Sequence, residues 1–141
     1  MKRIIATASL AVASLLTAGN ASAQNTAVQA TIPFYFVVGS TVLPSGTYVI
    51  TAISDSPKIL LIRNKDQWKF ATIVTTQAGT EAGAGDGELV FNRYGDDYFL
   101  NEVLCPYAAI TAELPTSKME YRARTREASL EQPEQVLLAL K

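Results

Sequence analysis

Histidine is absent from the 141 residues, and cysteine occurs once, at Cys105. Without imidazole the chain cannot build a Ser-His-Asp triad or a Cys-His dyad, and it lacks the commonest zinc ligand. One thiol cannot make an internal disulfide, a Cys-x-x-Cys redox centre or a thiolate metal cluster within one chain. Stability therefore has to come from an apolar core or from partners. Cys105 itself, after an apolar run and before Pro106, reads as a small buried residue more readily than as a reactive thiol. Neither sign of charge dominates: 12 Lys and Arg face 13 Asp and Glu, a net charge of −1. Such a balance leaves no electrostatic footprint for nucleic acid or anionic membranes. Past the first two dozen residues, no apolar run approaches the roughly 20 residues of a membrane-spanning helix.

What is present begins with an address. Met1-Lys2-Arg3 is positive, Ile4 to Ala18 is mostly apolar, and Ala21-Ser22-Ala23 is a small-x-small site. That order is the pattern of a secretory signal peptide cut between Ala23 and Gln24. The apolar part is about 15 residues, too short for an anchor. The residue after the cut is Gln24, not Cys, so no lipid anchor is suggested. The expected location is periplasmic or extracellular. Removing residues 1–23 leaves 118 residues and, with Lys2 and Arg3 gone, a net charge of −3. This length suffices for one domain with its own core.

Short strands separated by turn residues fill the body. The clearest stretch is Gly87 to Leu104. Leu89, Phe91 and Arg93 alternate with Val90, Asn92 and Tyr94, then the chain reverses at Tyr94-Gly95-Asp96-Asp97 and alternates again from Tyr98 to Leu104. This is a hairpin signature, apolar enough to lie centrally in a sheet. Upstream, Gln24 to Gln29 reads as a loose leader and Ile32 to Val38 as one strand, with Pro33 at its start or at a sheet edge. Pro44-Ser45-Gly46 is a turn. Strands follow at 47–53, 58–63 and 68–76, divided by Ser54-Asp55-Ser56-Pro57 and Asn64-Lys65-Asp66. No helical crossover interrupts the series, so the expected fold is mainly β: an antiparallel β-sandwich or partly closed β-barrel spanning 24–114. The glycine-rich stretch Gln77 to Gly87 is a flexible connection or a contact loop. It is not a phosphate loop, because no Lys-Ser or Lys-Thr follows it.

From 115 the character changes. Ser117 with Glu120 fits a capping box, in which hydroxyl and carboxylate each satisfy a free backbone N–H. A helix is expected over 118–130, supported by Glu120–Arg124 and opposed by Glu127–Glu131 at i,i+4. Its apolar stripe is thin, Met119, Ala123 and Leu130 with Tyr121 to one side, and Lys118, Arg122, Arg124 and Arg126 make it basic. Pro133 ends it. Val136 to Leu140 is an apolar tail, either a last strand, a short helix on the core or a sticky patch needing a partner. We expect 115–141 to pack on the same domain.

Three constellations could carry function. Tyr35, Trp68, Tyr94 and Tyr98 could form a sugar platform or line an apolar pocket, although aromatics also fill cross-strand positions in any β-protein. No cofactor is expected, but Asp86, Asp96 and Asp97 offer oxygen ligands suited to Ca²⁺. Turn-forming Asp explains the same letters, and the spacing matches no EF-hand. Lys118, Arg122 and Arg126 could meet a partner from the helix. A carboxylate-dependent hydrolase is a weaker alternative, since no pair is singled out as acid and base. The expected function is a non-catalytic, exported protein that binds another protein or the cell envelope. A ligand carrier or carbohydrate-binding module is the runner-up.

The segments Ile32-Pro33-Phe34-Tyr35-Phe36-Val37-Val38-Gly39 and Leu43-Pro44-Ser45-Gly46-Thr47-Tyr48 also carry a resemblance. So do Leu89-Val90-Phe91-Asn92-Arg93-Tyr94-Gly95 with Tyr98-Phe99-Leu100, and Glu113-Leu114-Pro115-Thr116-Ser117. Together they resemble a group of small exported proteins met repeatedly in soil-bacterial, notably acidobacterial, genomes. The resemblance covers most of the chain after residue 23. It implies one secreted β-domain with a charged C-terminal helix and assigns no activity or site residue.

Overall fold

The computed structural model describes residues 27–55, 58–78, 85–127 and 133–140. The candidate signal peptide, the Ser56-Pro57 break, most of the glycine-rich stretch and Leu130 lie outside the described residues. Among the described residues, ten strands, one short 3-10 turn and one helix follow in order. They are β1 (Ala27–Ile32), β2 (Phe36–Val38), β3 (Thr41–Leu43), β4 (Gly46–Asp55), β5 (Lys58–Asn64) and β6 (Phe70–Gln77). Then come β7 (Glu88–Tyr94), β8 (Asp97–Cys105), the 3-10 turn Pro106–Ala108, β9 (Ile110–Glu113), α1 (Lys118–Arg126) and β10 (Glu134–Ala139).

The strands form two layers of a mixed sheet that does not close. The first layer runs β1-β4-β5-β6, all antiparallel. In the second, β8 is the axis: β7 lies along one edge, and the other edge is shared by β9 and by β2, the one parallel neighbour. β10 extends this layer beyond β7 and β3 beyond β2. The layers join where Thr76 and Gln77 of β6 meet Glu113 and Ala112 of β9. The architecture is the expected β-sandwich with a C-terminal helix, except that the chain returns after the helix to add a strand.

Alternation explains the core. Tyr48, Ile50, Leu60 and Ile62 point inward from the first layer and meet Phe36, Leu89, Phe91, Leu100 and Val103 from the second, all buried in one cluster. Cys105 is a member of this cluster and carries a free, buried thiol. The central hairpin forms as its pattern indicates: β7 and β8 turn through Gly95-Asp96, with Gly95 at φ 61°. Glycine takes that conformation at no steric cost.

Three sequence expectations need correction, and one left open is resolved. Ala27 to Gln29 is not loose; it begins β1, which pairs with β4 from Ala27↔Thr51 to Ile32↔Gly46. Ile32 to Val38 is two strands in different layers, with Pro33 at the crossing. Pro33 has no N–H for a ladder, so the chain leaves the first layer there. Phe34 fills the corner, stacked on Tyr98 with ring centroids 3.9 Å apart and edge-on to Phe91 at 5.1 Å. Trp68 is not in a strand but in the turn before β6. The tail is the strand β10, paired to β7 from Glu134↔Arg93 to Ala139↔Glu88, with Leu140 buried at its end.

Candidate functional site

The helix decides where the site lies. Ser117 caps α1: its hydroxyl oxygen accepts the Glu120 N–H at 3.1 Å. In a full capping box the Glu120 carboxylate would reach back to the cap residue. Here it is turned inward instead, 5% exposed, and accepts from Asn92 Nδ2 at 2.9 Å and Tyr94 Oη at 3.3 Å. Both donors project from β7, whose other face is in the main core. A buried carboxylate is costly unless hydrogen bonds compensate it, and these two donors do so. Burial, and then the Glu120 charge and hydrogen bond, raise the Tyr94 hydroxyl pKa above the ordinary 10.0. Alongside, Ala123 is buried against Val37, Tyr94 and Phe99, and Met119 packs on the same group. A small residue at this contact lets the helix sit close to the sheet.

With α1 held there, a cleft of about 220 Å³ opens between the helix and the β2–β3 hairpin. Buried Val37 and Phe99 with half-buried Met119 make an apolar floor, and Tyr35, Val42, Asp97, Tyr98 and Arg126 complete the lining. Tyr35 and Val42 are largely exposed. Arg126 donates to Asp97 at 3.1 Å, a solvent-facing ion pair that fixes the rim and adds little stability. Tyr98 is held between the Phe34 ring and the Arg93 guanidinium, which lies 5.5 Å from its ring centre. Beyond the rim the outer face of α1 presents Lys118, Tyr121 and Arg122, all exposed. Lys118 and Arg122 form no ion pair among the described residues.

The candidate sets read from sequence are partly merged and partly dispersed. Tyr35 and Tyr98 come together, and they meet Arg126 from the basic set, a convergence no spacing announces. Tyr94 is not in the cleft but beneath the helix, bonded to Glu120. Trp68 lies at the β5–β6 turn, on a different surface lined by Val49, Arg63, Lys65, Asp66, Gln67 and Phe70. The four aromatics therefore do not make one platform. The three candidate calcium ligands do not converge either. Asp86 precedes β7 while Asp96 and Asp97 follow it, which at about 3.3 Å per residue separates them by roughly 20 Å. Among the described residues no group of three or more His, Cys, Asp or Glu is placed to hold a metal ion.

Sequence reasoning missed Val42, Met119 and the Asn92–Glu120 bond. Val42 gave one faint signal, an apolar residue in a short polar-flanked stretch. Asn92 gave another, a polar residue directly after the apolar run Leu89-Val90-Phe91. Tyr107 stands exposed near Cys105, and its hydrogen bond to that thiol, more than burial, pushes its pKa up to about 12. Compared with protein-family models, curated proteins and solved structures, the chain matches none of them.

Proposed function

We propose that this is an exported, non-catalytic binding protein of the periplasm or cell envelope, and that it takes a protein partner at the cleft beside α1. The observation that carries the reading is the convergence of exposed Tyr35 and Val42, apolar Val37, Phe99 and Met119, and Arg126 in one place, near Lys118 and Arg122, which form no ion pair among the described residues. An apolar floor beside cations suits a partner segment that offers an apolar side chain and an acidic one. The absence of His and the engagement of the buried Glu120 by structural donors both weigh against catalysis. Export rests on the pattern of residues 1–23.

The test is site-specific photo-crosslinking in an exporting host, with a benzophenone side chain at Tyr35 and, as a control on the other layer, at Gln29. A discrete adduct from position 35 alone, lost in Arg126→Glu, is the expected result. Adducts of the same kind from both positions, or none from position 35, would sink the reading. Intact mass of the recovered protein shows whether it starts at Gln24.

A further inference from the structure

The β5–β6 turn is built rigidly around one buried side chain, and it holds an indole in open solvent. Asn64 is 3% exposed, and its Oδ1 accepts the backbone N–H groups of Asp66 and Gln67, each at 2.9 Å. Asn64 N–H donates to Lys69 O and Lys65 N–H to Thr47 O, both at 2.8 Å, so the turn is closed on itself and tied to β4. Trp68 projects from this turn with a relative exposure of 101%. Behind it Phe70 is 60% exposed. Phe70 pairs with Arg63, which pairs with Val49, in one row across the outer face. Residues 63–70 carry Arg63, Lys65 and Lys69 against a single acid, Asp66. The whole chain is slightly acidic, so net charge conceals this local excess.

An indole that packs on nothing among the described residues is a poor sugar platform, which needs a supported flat ring. Its chemistry fits the boundary of a lipid bilayer, where the indole sits at headgroup level and flanking Lys and Arg meet anionic headgroups. We propose that the β5–β6 turn is a membrane-contact site, with Trp68 entering the interface of an anionic phospholipid bilayer and Arg63, Lys65 and Lys69 pairing with its phosphates. This site lies on a different surface from the α1 cleft and does not rest on the reading of that cleft. Each cation near an anionic surface contributes about fivefold to partitioning, and burial of the indole about tenfold or more.

The protein contains one tryptophan, so its emission reports this turn alone. The experiment is co-sedimentation of the exported protein with phosphatidylcholine vesicles containing a third phosphatidylglycerol, with emission read in parallel. Vesicles of phosphatidylcholine alone and soluble peptidoglycan fragments serve as comparisons. The expected result is sedimentation and a blue shift with anionic vesicles only, both weakened by salt. The double variant Lys65→Glu/Lys69→Glu should lose at least about 25-fold in partitioning at an unchanged melting midpoint. Trp68→Ala should lose about tenfold or more. The proposal is overturned by no sedimentation, by sedimentation without a shift (contact through another surface), or by a shift with peptidoglycan fragments and not with vesicles (a saccharide site).

Discussion

The two layers of the sandwich treat the centres of their outer faces differently. That of the second layer is covered, although Val42 and Leu137 on its edge strands are more than half exposed. α1 lies over Val37, Tyr94 and Phe99, and Ala78 packs on Val90 and Leu104. The outer face of the first layer has no such cover among the described residues: Ile53, Phe70 and Val74 are more than half exposed. The difference lies in what stands between the apolar side chains. On the first layer threonines share the face, Thr51 on β4 and Thr72 on β6 flanking Leu61 of β5 in one row. Such a face is wet and β-prone yet soluble. On the second layer the face carries Asn92 and Tyr94, whose polar atoms need a buried partner, and α1 supplies it in Glu120. A cover is thus specified by a hydrogen bond as much as by apolar area.

Deleting residues 134–141 should break the comparison most severely. It removes β10, half-buried Val136 and Leu138, and buried Leu140. The loss is about 5 kcal/mol, comparable with the whole stability of an ordinary domain. The truncated chain should be unfolded or insoluble by circular dichroism and sedimentation; an unchanged melting curve would show that β10 is not integral to the second layer.

Glu120→Ala comes next, because it leaves the Asn92 amide and Tyr94 hydroxyl buried without their acceptor. It should cost about 3 kcal/mol in urea unfolding, and Glu120→Gln, which keeps an acceptor, only about 1 kcal/mol. Equal costs would show that the hydrogen bonds do not dock the helix.

A smaller effect separates the layers by pH. Burial raises the hydroxyl pKa of Tyr94 and Tyr48, the latter opposed in part by the adjacent Asn64 amide. That amide falls short of hydrogen-bond geometry, and its Nδ2 has no partner among the described residues. Between 10.0, the ordinary value, and the higher folded value, the folded chain binds more protons than the unfolded one. This stabilisation is complete below pH 10 and is lost as pH rises through the folded pKa. Unfolding midpoints should fall above pH 10, and less steeply in Tyr94→Phe; parallel curves would remove Tyr94 as a contributor. The smallest effect belongs to the bare face. Phe70→Thr and Val74→Thr should each change stability by no more than about 0.5 kcal/mol; a loss above about 2 kcal/mol would mean that this face is packed after all.

The sequence made legible whatever is decided by neighbours along the chain. Gly95 with flanking alternation announced the central hairpin, Ser117 announced the helix start, and the spacing of turn residues announced a sandwich or barrel. It could not show what is decided across the sheet. Ile32 to Val38 alternates like one strand, and only the missing N–H of Pro33 hints that it changes layer. Glu120 has a plausible local use at its own cap, and its actual partners lie 28 and 26 positions away. The cleft was the least legible part. Tyr35, Val42, Tyr98 and Arg126 come from four segments, and nothing in their spacing reveals that they meet.

The position of β10 has a consequence for how the chain is made. Every strand of the first layer has been synthesised once Gln77 is in place, so that layer can assemble early. The β7–β8 hairpin is complete at Cys105, but its outer edge has no neighbour until Glu134–Ala139 is added. Until β10 docks, that edge of β7 is unpaired and open to a strand from another copy. Charged residues lie near both ends of that edge, Glu88 and Arg93, the kind of residue that makes an open strand a poor template for another chain.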